Sequence, residues 1–449
     1  MSGMPRRELS PPRLLAIGMA GVILVGTLLL LLPISASSGE SIGWSAAFFT
    51  ATSAVCVTGL IVIDTPTALS GFGQGVVLLL IQIGGLGYMT LATFVAAVIG
   101  RRVSMNEQMS LQETLNVDSR SRIADFALTV IKVTLACEAI GALILWARWT
   151  PIFGAGDALW LAVFHSVSAF NNAGFSLFTW NLMDFRADWI VNLTIMTLIV
   201  TGGLGYLVLT DVWNIRRRQV TLHTKFVLVL TTVLIVGGAA GVYLVERGNA
   251  ATLGEVARPE AALASLFMSV TARTAGFNTV DMSLLRPATY FFLLILMFIG
   301  GSPGGTAGGV KVSTFGVTVL ALWATIRGLR EPTFMWRRLP PDLVSRAFFI
   351  SLIAFLAVNL VAGILLVLEG RELLHTLFES VSAFATVGLS TGVAGTPLSL
   401  SAAFSEPGRL LICLLMFMGR LGPLTLAFAL AARSTASRVR YPEGRVLIG

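Results

Sequence analysis

The sequence predicts an all-α polytopic membrane protein, and three observations carry that prediction. First, 55% of its 449 residues are hydrophobic and only 12% are charged, with a mean hydropathy of +0.84, a balance outside the range of soluble domains. Second, residues 14–35, 189–210, 226–245, 287–310 and 347–368 contain no charged side chain, and each matches the roughly 20 residues that a helix needs to cross a bilayer. Third, an apolar run that ends in small and hydroxyl residues and then a glycine occurs four times: FTATSAVCVTGL, FHSVSAFNNAGF, FMSVTARTAGFN and FESVSAFATVGL. Their glycines, Gly59, Gly174, Gly276 and Gly388, lie 115, 102 and 112 residues apart. That period is far too long for a solenoid unit, so each quarter is expected to hold membrane spans plus one re-entrant stretch.

Charge and cysteine usage narrow the function classes. The net charge of +8 comes from arginines in short loops beside apolar spans, which specifies topology and implies no nucleic-acid partner. Cys56, Cys137 and Cys413 stand far apart with no metal-ligand spacing, as small buried hydrophobes do. No cleavable signal peptide is expected, because the first apolar run is long and continues into a multi-span chain.

Taken in order, the amino-terminal arginines Arg6, Arg7 and Arg13 predict a cytoplasmic start. A first span to about residue 35 is followed by a re-entrant helix over 44–55, the Gly59 segment and a second span over about 75–100 that stops at Arg101 and Arg102. The second quarter repeats the plan with a basic loop at Arg120 and Arg122, a span over 125–149, a re-entrant run over 158–170, Gly174, and a span ending at Arg216, Arg217 and Arg218. The third has a span over 225–245, a re-entrant run over 260–272, Gly276, and a span broken in its middle. The fourth has a span from about residue 346, a re-entrant run over 373–384, Gly388, and a last span over 410–432. Basic residues gather in the loops this plan puts inside, which supports eight spans with both termini cytoplasmic.

Non-helical backbone at membrane depth is tolerated only where protein shields it or where it faces water. Four such segments on a pseudo-fourfold axis form rings of carbonyl oxygens that can replace the hydration shell of a monovalent cation. Glycine permits the dihedrals that turn successive carbonyls to one side, and the carboxyl ends of the re-entrant helices favour a cation there.

At these motifs the sequence resembles the Trk/Ktr/HKT superfamily of potassium transporters, most closely its KtrB-type branch. The resemblance rests on TATSAVCVTGL, SAFNNAGFSLF, TARTAGFNTVD and ATVGLSTG, on GGSPGGTAGGVK at 300–311, on MFMGRLGPLT at 416–425 and on the tail RYPEGRVLIG. It implies four M1-P-M2 repeats like those of K+ channels, placed at 1–105, 106–218, 219–330 and 331–449, and an association of two chains as a homodimer. It implies a selectivity filter for K+ made by Val57, Thr58 and Gly59, by Asn172, Ala173 and Gly174, by Thr274, Ala275 and Gly276, and by Thr386, Val387 and Gly388. Glycine at all four positions favours potassium over sodium, with Na+ as an activator or a coupled ion left open. It also implies a cytoplasmic KtrA-like regulatory ring that binds ATP or ADP; the chain itself carries no cofactor site. The basic loops at Arg216 to Arg218 and Arg327 to Arg338 are the expected contacts for that ring. Symport coupled to Na+ or H+, or less selective TrkH-like transport, stays open as the alternative. A membrane-embedded enzyme would need a convergent set of acids, bases or ligands, and none is evident.

The sixth span reads MFIGGSPGGTAGGVKVSTF and cannot stay helical, since glycine costs about 1 kcal/mol and proline about 3 relative to alanine. It lacks the Gly-Lys-Ser/Thr of a phosphate-binding loop. By resemblance, Gly300, Gly301, Ser302, Pro303, Gly304, Gly305, Thr306, Ala307, Gly308 and Gly309 form an intramembrane gating loop, with Lys311 at its end. Arg420, alone in the last span, is expected to join the gate by binding loop carbonyls or a carboxylate. Arg273 is expected to brace the third filter against Asp281 or Glu379. Lys132 and Glu138 are expected to be structural. Glu138, Asp211 and Glu379 are the candidates for a proton relay, and His165, His223 and His375 are expected to be interfacial or satisfied side chains.

Overall fold

Three helices recur in each quarter of the chain because the same local signals recur. The computed structural model describes residues 11–87, 123–215, 219–423 and 425–426. The expected ends of the second span, the basic loops at 101–122 and 216–218, and the carboxyl-terminal tail lie outside the described residues.

Each quarter opens with a long helix: α1 (Pro11–Leu30), α4 (Ile123–Phe153), α8 (Leu222–Glu246) and α12 (Pro341–Glu369). These four are long and apolar enough to cross a membrane, and only 22–33% of the best window of each is buried. Leu28, Leu143, Val233 and Phe355 stand out from them, an apolar exterior suited to lipid and not to water.

The second helix is short: α2 (Trp44–Val55), α5 (Ala155–Phe170), α9 (Arg258–Thr271) and α13 (Leu373–Ala385). Here the pattern inverts. Thr52, Ser53, Ser168, Ser265 and Ser380 are buried, and several hydroxyls return to a carbonyl one turn back, as in Thr52 to Phe48 at 2.8 Å, Ser265 to Ala261 at 2.7 Å and Ser380 to Thr376 at 2.8 Å. A buried helix can carry these groups only because each is satisfied.

The third helix is α3 (Gly71–Leu86), α6 (Trp189–Leu204) and α14 (Glu406–Leu421) in the first, second and fourth quarters, each of 16 residues. Ser70, Asp188 and Ser405 cap their amino ends by accepting from Gly73, Val191 and Gly408, the usual remedy for orphan amides. Each helix stops where Gly87, Gly205 or Gly422 takes φ of 78°, 85° or 86°, a conformation suited to glycine. After Gly205 the chain turns by 103° into α7 (Tyr206–Trp213). In the third quarter α10 (Pro287–Phe298) is followed by the glycine-rich loop and α11 (Val312–Ile326).

These breaks correct the sequence-based expectation, which placed an interruption in the third quarter alone. The apolar runs continue past the break, yet the pattern Gly-x-Leu-Gly at 84–87, 202–205 and 419–422 marks it. The first glycine of each pattern is where the third helix meets the short helix. A β-carbon at Gly84, Gly202 or Gly419 would strike the carbonyl oxygen of Val55, Phe170 or Phe384, in each case the residue four before the recurrent glycine.

Packing between quarters is cyclic. The third helix of one quarter lies on the short helix of the next: α3 on α5, α6 on α9, α10 on α13, and α14 back on α2. Within the third and fourth quarters a carboxylate ties the long helix to the third one. Glu246 accepts from the Arg286 amide at 2.9 Å and from Thr289, and Glu369 accepts from the Ser405 amide at 3.0 Å and its hydroxyl at 2.5 Å.

Alanine at Gly202 or Gly419 should therefore destabilise the protein by about 1–3 kcal/mol through overpacking, seen as a lower unfolding midpoint in detergent. Alanine at Gly21, where an added methyl meets nothing within 4 Å, should leave the midpoint unchanged or slightly raised.

Candidate functional site

The site begins where the four short helices end. In the first, second and fourth quarters the end is a double-bonded C-terminal cap: Thr58 N–H donates to Ser53 O at 2.8 Å, Ala173 to Ser168 at 2.7 Å and Val387 to Ser382 at 2.8 Å, with Val57, Asn172 and Thr386 closing the inner bond. The residue that must turn left-handed in this cap is usually glycine, but here Val57 has φ 57°, Asn172 60° and Thr386 51°. The third quarter is one residue shorter, closes with Ala275 N–H on Thr271 O at 2.9 Å, and puts Thr274 at φ 75°. Two residues on, Gly59, Gly174, Gly276 and Gly388 take φ of 91°, 70°, 81° and 89°.

Left-handed residues two apart, with one ordinary residue between, turn successive carbonyls the same way. For residues with a β-carbon this costs roughly 1–2 kcal/mol each, and strain of this kind persists where the surroundings over-determine the backbone. Ser53 and Ser382 hydroxyls accept from the amides of Gly59 and Gly388 at 3.1 Å each. Ser168 and Thr271 instead donate to the carbonyls of Phe175 and Phe277 at 2.8 and 2.6 Å.

The four glycine segments meet. A side chain on Gly59 would collide with the backbone of Ala173 and Gly174, one on Gly174 with Ala275 and Gly276, one on Gly276 with Val387, and one on Gly388 with Thr58, which closes the circuit. Thr58, Gly59, Ala173, Gly174, Ala275, Gly276, Val387 and Gly388 thus meet in one ring, each of its four arcs preceded directly by a left-handed residue, Val57, Asn172, Thr274 or Thr386. On one side of the ring is a cavity of about 140 Å³ lined by the four glycines with Asp64, Asn278, Asp281 and Ser390.

On the other side lies the 300–311 loop. Its base is pinned by Gly300 N–H to Val310 O at 2.8 Å and Val312 N–H to Gly301 O at 2.9 Å. Its body hangs on the α6 break, with Ser302 and Thr306 amides on Gly203 O and Gly202 O at 2.9 and 3.2 Å, and the Tyr206 amide on Gly304 O at 3.1 Å. Gly308 and Gly309 abut Thr386 and Ala385. Arg420 donates to Thr306 O, to Gly84 O and, at 3.3 Å, to Gly85 O, so it clamps the loop to the end of α3. Lys311 donates to Ala307 O and closes the loop on itself. Beneath lies a cavity of about 660 Å³ lined by Gly304, Gly305, Ala307, Lys311, Arg346 and Arg420.

Among the described residues Arg420 therefore uses carbonyls and no carboxylate. Arg273 departs from expectation: its guanidinium donates to Gly300 O at 3.2 Å, not to Asp281 or Glu379. Those carboxylates are already occupied, Asp281 by Ser283 and Glu379 by Ser390 and Ser401. Lys132 is exposed while Glu138 is buried against Gln82 and Asn171, so the two do not act as a pair. Asp211 accepts from Thr221 and Thr224, and among the described residues Glu138, Asp211 and Glu379 share no hydrogen-bond partner. His165 bonds Leu161 O and Ser176.

Residues 20–438 match the TrkH family, described as cation transport protein. The chain belongs to this family. It is similar to Ktr system potassium uptake protein B of Bacillus subtilis, 40% identical over 98% of this chain and 97% of the relative, and to the protein of the same name in Vibrio alginolyticus, 37% identical over 98% and 95%. Among solved structures, the potassium transporter TrkH from Vibrio parahaemolyticus has the same fold, with a TM-score of 0.76 at 19% identity, covering 96% of this chain and 87% of that one. The ring and the loop thus sit in a TrkH-family transporter.

Charge-assisted hydrogen bonds contribute about 1.5–3 kcal/mol each, so removing Arg420 should free the loop. A cysteine at Ser302, a position only 1% exposed, should react at least about tenfold faster with a water-soluble thiol reagent when Arg420→Ala is added.

Proposed function

We propose that this chain is the ion-translocating subunit of a potassium uptake system, with K+ passing through the ring formed by the four glycine segments. The closed circuit of backbone contacts among those segments carries this reading, and the names of the relatives at 40% and 37% identity support it. Residues 57–59, 172–174, 274–276 and 386–388 supply the carbonyls that exchange for water. The membrane potential supplies the driving force, about 2.3 kcal/mol per charge per 100 mV. Gly300 to Gly309, Lys311 and Arg420 form the gate beneath.

With each broken third helix counted as part of one span, the chain has eight spans in four M1-P-M2 repeats at 1–105, 106–218, 219–330 and 331–449, with both termini cytoplasmic in a bacterial inner membrane. Two chains pair as a homodimer with one pore each. A cytoplasmic KtrA-like ring reads ATP or ADP and biases the loop; its contacts are the basic segments at 216–218 and 327–338. Small residues throughout the loop suit a segment that must move. The chain itself performs no catalysis.

The test is growth on low potassium and rubidium uptake in cells lacking their own potassium systems. Wild type should restore growth. Gly174→Ser, which puts a side chain into Ala275 and Gly276 at a φ of 70°, should lower rubidium uptake at least about tenfold or admit sodium. Arg420→Ala should raise flux. Unchanged flux in both variants, at normal expression, overturns the reading.

A further inference from the structure

Glu138 is a buried carboxylate, 5% exposed, in the middle of the membrane-crossing helix α4, and the pathway described so far makes no use of it. Ionisable groups at such depth are expensive and call for a role. Among the described residues its oxygens accept only from amides: Oε1 from Asn171 Nδ2 at 2.9 Å and Oε2 from Gln82 Nε2 at 3.3 Å. Among the described residues it makes no ion pair. Its backbone carbonyl accepts from Ser166 of α5 at 2.7 Å, so both ends of the residue hold the second short helix.

Asn171 is the residue that matters here. It ends α5 and precedes Asn172, the left-handed residue of the second segment. Its Nδ2 also faces Gln82 Oε1 at 3.0 Å and Val167 O at 2.9 Å. Gly85 has no side chain in the one place where a β-carbon would strike Asn171. The equivalent positions three before the other glycines are Cys56, Arg273 and Ala385, so this arrangement belongs to the second quarter alone. Gln82 lies on the same helix end whose Gly84 and Gly85 carbonyls receive Arg420.

We infer that Glu138 is a positioning residue which, through Asn171 and Gln82, fixes the second glycine segment and so sets the ring's discrimination between cations; this rests on the potassium-uptake reading. The acid does not touch the ion. It anchors the amide that anchors the strained turn before Gly174, and it ties that turn to the helix end that the gate uses.

The test is rubidium uptake with sodium as competitor, in proteoliposomes holding the full chain. Glu138→Ala should raise sodium relative to rubidium permeation about tenfold, and Glu138→Gln, whose one carbonyl oxygen can still accept from Asn171 while its amide nitrogen gives up the bond from Gln82, should fall clearly short of that loss, within about threefold of wild type. Asn171→Ala should match Glu138→Ala, and the double variant should be no worse than either, as expected of one shared route. Selectivity within about twofold of wild type in a folded Glu138→Ala protein overturns the inference. So does an equal loss in Glu138→Gln, which would mean that the bond from Asn171 is not what holds the segment. If wild type takes up rubidium and Gly174→Ser abolishes it while Glu138 variants are silent, this inference alone fails. A wild type without rubidium uptake overturns both readings.

Discussion

An unpartnered carbonyl in hydrocarbon costs several kcal/mol, and this fold answers that constraint four times over. Its short helices end inside the protein, which leaves a set of carboxyl-terminal carbonyls with no helical partner. The solution is to bring glycine to them. Gly84, Gly202 and Gly419 let the third helices come against Val55, Phe170 and Phe384, and Thr306 adds a hydroxyl to the Phe170 carbonyl at 3.3 Å. The segments beyond those ends are then free to face one another as a ring. In the proposed pathway these are the carbonyls left for a passing cation.

The fourfold plan is broken at one level, and each break serves the same end. At the position where the first and second quarters have Gly84-Gly85 and Gly202-Gly203, the fourth has Gly419-Arg420 and the third opens into the glycine loop. The first quarter offers carbonyls to Arg420, the second offers carbonyls to the loop amides, the third supplies the loop, and the fourth supplies the cation. Symmetry-related sites have diverged into complementary halves of one contact. A strictly symmetric molecule would have four helix breaks and nothing to fill the centre beneath the ring.

Local features were legible in the sequence. The first short helix spans 44–55 as expected, and the others fall within a few residues, because apolar periodicity, hydroxyls and the closing glycine are all signals of near neighbours. For Arg420, where loop carbonyls or a carboxylate were expected, the partners are the carbonyls of Thr306, Gly84 and Gly85. The breaks at Gly87, Gly205 and Gly422 were not read, since a glycine within an apolar run looks like ordinary helix packing; only the alignment of three Gly-x-Leu-Gly patterns exposes them. Val57, Thr274 and Thr386 were equally opaque as left-handed residues, because β-branched side chains argue against that conformation and only the surrounding ring enforces it. Arg273 shows the limit of charge pairing by proximity in sequence. Hydroxyls and amides had already filled Asp281 and Glu379, and the guanidinium went to Gly300 O.

Carbonyl oxygens, and not carboxylates, are the currency on the loop side of the ring. Arg420, Lys311 and Arg273 each end on backbone oxygen, and the Gly84 and Gly85 oxygens lie at the carboxyl end of α3, where a cation is favoured. A potassium ion leaving the ring in the proposed pathway meets that same field, with part of it already neutralised by Arg420. The guanidinium and the ion then compete for one set of oxygens, and like charge keeps them from sharing it. In the proposed gate, moving the loop would take Thr306 O away from Arg420 and leave the guanidinium on Gly84 and Gly85, so opening would both clear the path and weaken the hold of the charge. A carboxylate in place of those carbonyls would have fixed Arg420 too firmly for such an exchange and would have trapped the ion as well.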